Sequence, residues 1–337
     1  MQEARQYIKK ENNAVQCSLC SHRCTIADGK HGICGVRQNH GGTLYAMTYG
    51  LVSAEAVDPI EKKPLFHFLP GTLTYSLGGV GCNFRCSHCQ NWHISQADPA
   101  NARLFSLSPE EGVSRAVVSG SASISWTYNE PTIWHEYTLD MGMLARLRGL
   151  GTCYVTNGYI TEEALRELSP MLSAFRVDLK AFTDEFYKKV CGAHLQPVLD
   201  AAMLARELGM HIETVTLVIP GLNDSMEEQE SLIRWVVENL GPETPMHFSA
   251  FHPDYQMTDR GGTPSALLEK ICIRAKELGL LFPYAGNVRH TRYENTYCPA
   301  CGALLIERQG FSSRITGLDN RQCTNCGETI RIVRHVR

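Results

Sequence analysis

The stretch "LTYSLGGVGCNFRCSHCQNW" (73–92) places a strand-like run immediately before three cysteines, Cys82, Cys86 and Cys89, that fall within eight residues. Residues 73–79 are short and apolar, contain Thr and Tyr, and end in glycines, which is the grammar of a β-strand running into a turn. No fourth cysteine follows within reach of the same loop. A closed structural metal site takes four ligands, whereas a catalytic centre keeps a coordination position open. Thiolates hold iron–sulfur clusters, normally four to a cubane, so a loop of three leaves one iron without a protein ligand. Gly78, Gly79 and Gly81 are expected to let the backbone approach a bulky cofactor.

Outward from this stretch the chain alternates strand and helix signals. Residues 121–128, 152–158, 174–180, 211–220 and 246–251 read as further strands. Helices fit between them: Ser108, Pro109 and Glu111 form a capping box that opens a helix over 109–119, with Gly120 at its end. Further helices are expected from Thr161, over 196–208, from Ser225 and from Thr263. Six strands alternating with helices imply a parallel sheet, because parallel neighbours need crossover connections. The fold class expected is α/β, a partial (β/α)6 barrel, since six units are too few to close an eight-stranded one. Three regions follow: a cysteine-rich N-terminal extension (1–70), the barrel (71–290) and a C-terminal zinc-ribbon-like tail (291–337).

In such sheets chemistry collects beyond the C-terminal ends of the strands. Cys82, Cys86 and Cys89 follow the first strand, Tyr128, Asn129 and Glu130 the second, and Asn157 the third. Asp178 and Lys180 end the fourth, "PGLND" (220–224) follows the fifth, and His252 follows the sixth. All six clusters are thereby expected on one rim. The run "IEKK" (60–63) reads as more structural than catalytic, a solvated run of charge being the simple account.

The 337 residues carry a net charge of −3, with 43% apolar and 20% charged side chains, so nucleic acid is not the expected partner. The opening "MQEARQYIKKENN" (1–13) has no apolar stretch of signal-peptide type, and no run of eighteen apolar residues occurs, so a cytoplasmic chain with no membrane partner is expected. Eleven of the fourteen cysteines fall into three tight groups, which in a cytosolic chain points to metal or redox chemistry rather than disulfides. Cys153, Cys191 and Cys272 stand alone and read as small buried apolar residues. Cys298, Cys301, Cys323 and Cys326 form two CxxC knuckles, each followed by glycine, as in a tetrahedral zinc ribbon. Cys17, Cys20, Cys24 and Cys34, with His22 and His31 among them, suit a second zinc or an auxiliary iron–sulfur cluster, and their spacing selects neither.

CxxxCxxC after a first strand resembles the signature of the radical S-adenosylmethionine (SAM) superfamily. The resemblance implies a [4Fe-4S] cluster on Cys82, Cys86 and Cys89, with SAM chelating the fourth iron. It further implies reductive cleavage of SAM to methionine and a 5'-deoxyadenosyl radical that abstracts hydrogen from a substrate. "DPIEKKPLFHFLPG", "TYNEPTI", "VTNGY", "DLKAF", "IPGLND", "FHPDY" and "CPACG" are similar to the pyruvate formate-lyase activating enzyme-like branch, and most closely to the AmmeMemoRadiSam-system enzymes. By that resemblance Asn129 and Glu130 meet the amino group of SAM and Asn157 lies near the ribose. Lys180 pairs with the carboxylate, Asp178 with cofactor or substrate, and His252 meets the methionyl or ribose region. Phe84, His88 and Tyr128 complete the implied cofactor pocket, with Asp178 and Lys180 also carrying catalysis. An electron donor such as flavodoxin or ferredoxin is implied, acting with an unidentified protein or small-molecule substrate. The alternatives are a glycyl-radical-enzyme activase, a radical RNA-modifying enzyme, and a metal-stabilised binding module whose ribbon and basic tail (Arg331, Arg334, Arg337) contact RNA or protein.

Overall fold

Each strand signal in the middle of the chain is followed by a helix long enough to carry the chain back to the start of the next strand, and this repetition builds the sheet. A computed structural model describes residues 1–288 and 291–336; Arg337 of the expected basic tail lies outside the described residues. The central sheet comprises β1 (Ala54–Pro59), β2 (Leu73–Gly78), β3 (Ser123–Trp126), β4 (Gly151–Thr156), β5 (Ala174–Asp178), β6 (His211–Val218), β7 (Met246–Ala250) and β8 (Pro283–Gly286). Its order is β8-β7-β6-β5-β4-β3-β2-β1, parallel from β2 to β8, with β1 antiparallel to β2. The fold is an open, mostly parallel α/β sheet, with two strands more than the six expected.

The longer helices are α1 (Pro109–Val118), α2 (His135–Leu147), α3 (Glu162–Leu168), α4 (Gln196–Glu207), α5 (Met226–Asn239) and α6 (Ser265–Glu277). Ser108, Thr161 and Ser225 accept hydrogen bonds from the backbone N–H three residues on, satisfying donors that a helix leaves free at its start. Helix α2 has no place in the sequence reading, and its start explains why. Its N-cap is Trp134, which makes no side-chain capping bond, and a 3₁₀ turn (Pro131–Trp134) feeds directly into it.

The segment before residue 71 is more ordered than its weak periodicity suggests. Gln2–Glu3, Thr43–Ala46 and Arg37–His40 form one antiparallel sheet, Tyr7–Lys9, Val15–Cys17 and Thr25–Ile26 another, and β1 joins the barrel itself. It is tied down by charge: Arg37 pairs with Glu136 of α2 at 2.5 Å with both side chains buried, and Glu167 of α3 accepts from Arg5, Gln6 and His135.

Opposite the rim, Glu213 near the start of β6 accepts from the backbone N–H groups of Phe66 and His67 and faces His211 and His247 at 2.9 and 2.8 Å. Burial opposes its charge, yet the two histidines hold its carboxyl well below the usual range. The C-terminal strands, Thr296–Tyr297, Leu304–Gln309 and Ser312–Ile315, share an apolar cluster with Phe66, Phe282 and Tyr284, while Val333 bridges to Phe68. Arg331 of the tail is paired with Glu243 at 2.6 Å, so that residue of the expected basic surface packs on the barrel. Among the described residues no helix is long and apolar enough to cross a membrane.

Candidate active site

Strands β2 to β7 and the loops after them contribute to the wall of an open cavity of about 440 Å3. Cys82, Cys86 and Cys89 line one side of it, with Phe84, His88, Tyr128, Asn129, Glu130, Asn157, Asp178 and Lys180. His252, by contrast, is exposed on the loop after β7 and is not among the residues that line the cavity. The "PGLND" loop also stays outside the cavity. Its Asn223 accepts from the Ile219 N–H and donates to the carbonyls of Lys180 and Leu217, so the loop braces the Lys180 backbone from behind.

The glycines of the opening stretch are closely approached by the protein itself. A Cβ on Gly78 would lie 2.9 Å from the Tyr128 ring, one on Gly79 3.3 Å from Trp134, and one on Gly81 2.6 Å from the carbonyl oxygen of Cys34. Gly81 also has φ +85°, a conformation other residues avoid. They admit neighbouring protein, which fixes the height of the cysteine loop.

That loop offers donors to sulfur. The Phe84 N–H points at Cys82 Sγ at 3.3 Å, and Ser95 Oγ lies 3.2 Å from Cys89 Sγ. Hydrogen bonds to ligating sulfurs are one of the levers that set cluster potential. Burial pushes the Cys82 thiol well up, while the neighbouring Cys191 thiol holds Cys86 below its ordinary value against the cost of its own burial, with help from Lys180.

The rim amides and carboxylate are already engaged. Asn129 accepts from the Gly79 N–H and donates to the Gly81 carbonyl; Asn157 donates to Asn83 Oδ1 and accepts from the Tyr159 N–H. Both therefore brace the cysteine loop. Glu130 Oε1 accepts from Thr132 N–H and Thr156 Oγ1 and its Oε2 from the Asn157 N–H, which leaves spare acceptor capacity on Oε2. Burial raises the Glu130 pKa.

Asp178 sits between two cations, with Arg176 Nη1 on one oxygen and Lys180 Nζ 3.1 Å from the other. Burial works against both members of the Asp178–Lys180 pair, but Arg176 and then Lys180 lower the Asp178 pKa, and Asp178 raises that of Lys180. His88 is 5% exposed, lines the cavity, and its Nδ1 has no hydrogen-bond partner among the described residues. Burial lowers its pKa to about 3, so the ring stands neutral. A buried, unpartnered nitrogen facing a cavity suits a polar ligand atom.

Sequence reasoning missed the wall opposite the cysteines. Lys63 is 2% exposed and lines the cavity beside Arg176, so the "IEKK" run is not a solvated one. Its ammonium is 2.7 Å from Asp58, which also pairs with Lys62 at 2.8 Å, and it lies 4.5 Å from the centre of the Tyr128 ring. Burial brings the Lys63 pKa down to about 8 despite Asp58. Tyr128 holds φ +74°, a strained conformation for a bulky residue of the kind that gathers at functional sites. Only the spacing of "DPIEKK" (58–63), one turn apart in its charges, signalled this wall.

The donor sets differ in spread. The four sulfurs of Cys298, Cys301, Cys323 and Cys326 lie within 4.8 Å of one another, a metal-sized group. Among the described residues Cys82, Cys86 and Cys89 form no such single-ion group, and three thiolates are what a cubane with one open iron takes. The residues at this cavity thus fit a [4Fe-4S] cluster and a polar ligand beside it.

Comparison with known proteins agrees with this chemistry. A family model described as the Radical SAM superfamily matches residues 77–235. The uncharacterised protein MJ0808 of Methanocaldococcus jannaschii is 47% identical over 335 residues, covering 99% of this chain and all of that protein. The pyruvate formate-lyase-activating enzyme of Clostridium pasteurianum is 23% identical over 171 residues, 48% of this chain and 67% of the enzyme. Streptococcus suis SuiB bound to S-adenosylmethionine shares the fold at a TM-score of 0.50 and 14% identity, over 65% of this chain and 51% of SuiB.

Proposed function

The chain belongs to the radical SAM superfamily, and from that premise we propose that it cleaves SAM reductively on a [4Fe-4S] cluster held by Cys82, Cys86 and Cys89. The observation that carries the reading is the sharing of one cavity by these cysteines, the unpartnered His88 nitrogen and the Asp178–Lys180 pair. When bound, the reduced cluster supplies the electron that splits SAM into methionine and a 5'-deoxyadenosyl radical, which takes hydrogen from a substrate.

The protein's own part is positioning. Lys180 holds its charge beside Asp178 and meets the carboxylate of SAM, Glu130 Oε2 accepts from its amino group, and His88 with Phe84 borders the adenosine. Asn129 and Asn157 fix the loop on which the cluster sits. The Lys63 wall faces the substrate. Residues 71–290 are proposed as the catalytic unit, supported by 1–70 and by a zinc-bearing 291–337, and the division is functional, since β1 from the first segment completes the sheet. Similarity to an activating enzyme supports a protein glycine as one substrate class and a flavodoxin or ferredoxin as donor, and the AmmeMemoRadiSam resemblance supports action within an assembly.

Anaerobic reconstitution with iron and sulfide, reduction in the presence of SAM and assay of 5'-deoxyadenosine test the proposal. Wild type should release it and Cys86→Ala should not; equal yields from both would sink the reading.

A further inference from the structure

Cys17, Cys20, Cys24 and Cys34 all line one small cavity among the N-terminal sheets. We propose that this cavity is the seat of a second iron–sulfur cluster of cubane type, with four protein thiolates and no zinc.

The spread of the sulfurs favours a cluster over zinc. Sulfurs on a single tetrahedral zinc stand roughly 3.8 Å apart, given Zn–S bonds of about 2.3 Å. The ribbon shows that scale, with 3.6 Å between Cys298 and Cys326 and 3.7 Å between Cys301 and Cys323. The N-terminal four face a common space yet, among the described residues, do not form a group within 4.8 Å, and in this they match the cysteines of the catalytic loop. Thiolates on different irons of a cube are held further apart than thiolates on one ion.

A second observation points the same way. Arg37 lines this cavity and is 1% exposed. One end of its guanidinium pairs with Glu136, while Nε and Nη1 have no partner among the described residues. Buried guanidinium N–H groups are costly to leave unmade. The sulfides and thiolates of a cluster would accept from them, and their negative charge would balance the arginine. Four cysteines already complete a cubane's ligand set; His22 lines the cavity with its Nε2 bonded to the Asn83 carbonyl at 2.8 Å, and His31 is exposed.

The site backs directly onto the catalytic loop. Besides the His22–Asn83 bond, the Cys34 carbonyl is the atom a side chain on Gly81 would strike, and Arg85 donates to the Ile33 carbonyl. Two clusters would thus share one wall.

The test is metal analysis of the full chain after anaerobic reconstitution with iron, sulfide and zinc. Wild type should hold about eight irons, two cubanes of four, and one zinc. Cys82→Ala/Cys86→Ala/Cys89→Ala should keep about four irons with the electron paramagnetic resonance signal of a reduced cubane, and Cys17→Ser/Cys34→Ser should also fall to about four. Two zincs in the triple variant, or no iron there, would overturn the proposal. Should the triple variant fail to fold, wild type with only about four irons would do so instead. A triple variant that holds four irons while wild type releases no deoxyadenosine would leave this site standing and remove the proposed activity.

Discussion

Tyr128 donates its hydroxyl proton to Asp58 at 2.8 Å, joining the loop after β3 to the antiparallel edge strand β1 across the mouth of the cavity. The same carboxylate neutralises Lys63, so one aspartate organises a buried cation and a strained tyrosine.

Lys63→Met should leave the fold intact, because Asp58 keeps Lys62 and Tyr128. The folded pKa of Lys63, about 8, lies below its ordinary 10.5. Below pH 8 the lysine is charged in both states and its burial penalty is fully present; between pH 8 and 10.5 the unfolded chain binds more protons, so stability rises. Wild type should therefore gain on the variant in thermal melts as pH climbs through that window. A difference independent of pH from 7 to 10 would show that Lys63 is not a desolvated ammonium.

Glu213 takes four donors at the end of the barrel opposite the rim. Glu213→Leu strands two backbone N–H groups and two histidines, and should cost roughly 3–5 kcal/mol in denaturant unfolding, the range for breaking a buried charged network. A loss below about 1 kcal/mol would mean that water replaces the carboxylate.

Glu167 holds the N-terminal segment through Arg5 and Gln6 and also bonds His135 of α2, and the His135 bond above all lowers its pKa from 4.5 to about 2. A depressed carboxyl stabilises above its unfolded pKa and loses that contribution as pH falls through the folded one. Hydrogen exchange in residues 1–46 should therefore accelerate between pH 4.5 and 2, and Glu167→Gln should remove that dependence.

Two of the ribbon cysteines, Cys301 and Cys326, are exposed, and Cys298 and Cys323 are buried. Zinc held there should be open to a strong chelator, and Cys301→Ser should lose it with a drop in melting midpoint, since structural zinc contributes on the order of 10 kcal/mol of binding energy. An unchanged midpoint with zinc gone would show that the apolar cluster around Phe282 and Tyr284 suffices.

His252 is exposed and off the cavity. His252→Ala should keep deoxyadenosine formation within about twofold, the scale of surface substitutions remote from special features.

What the sequence disclosed and what it withheld have separate physical causes. Strand ends carry polar residues beside apolar runs, so Cys82, Glu130, Asn157 and Lys180 were legible as one rim. Helix α2 escaped because it follows a 3₁₀ turn without a capping side chain, and β8 because it is a four-residue edge strand that opens on a proline. Lys63 and Arg176 were hidden because a buried cation looks, in one dimension, like any surface lysine or arginine. Only the packing of Asp58 and Asp178 against them reveals the difference.

The pairing of Phe68 with Val333, and the hydrogen bond from Arg308 to the Phe66 carbonyl at 2.8 Å, have a temporal side. During synthesis residues 66–68 emerge long before their partners, and domains generally fold in the order in which they leave the ribosome. The underside of the barrel must then wait, apolar and unpaired, until Arg308 and Val333 arrive. Chaperone dependence and proteolysis in nascent chains should concentrate there, far from the cofactor-facing rim.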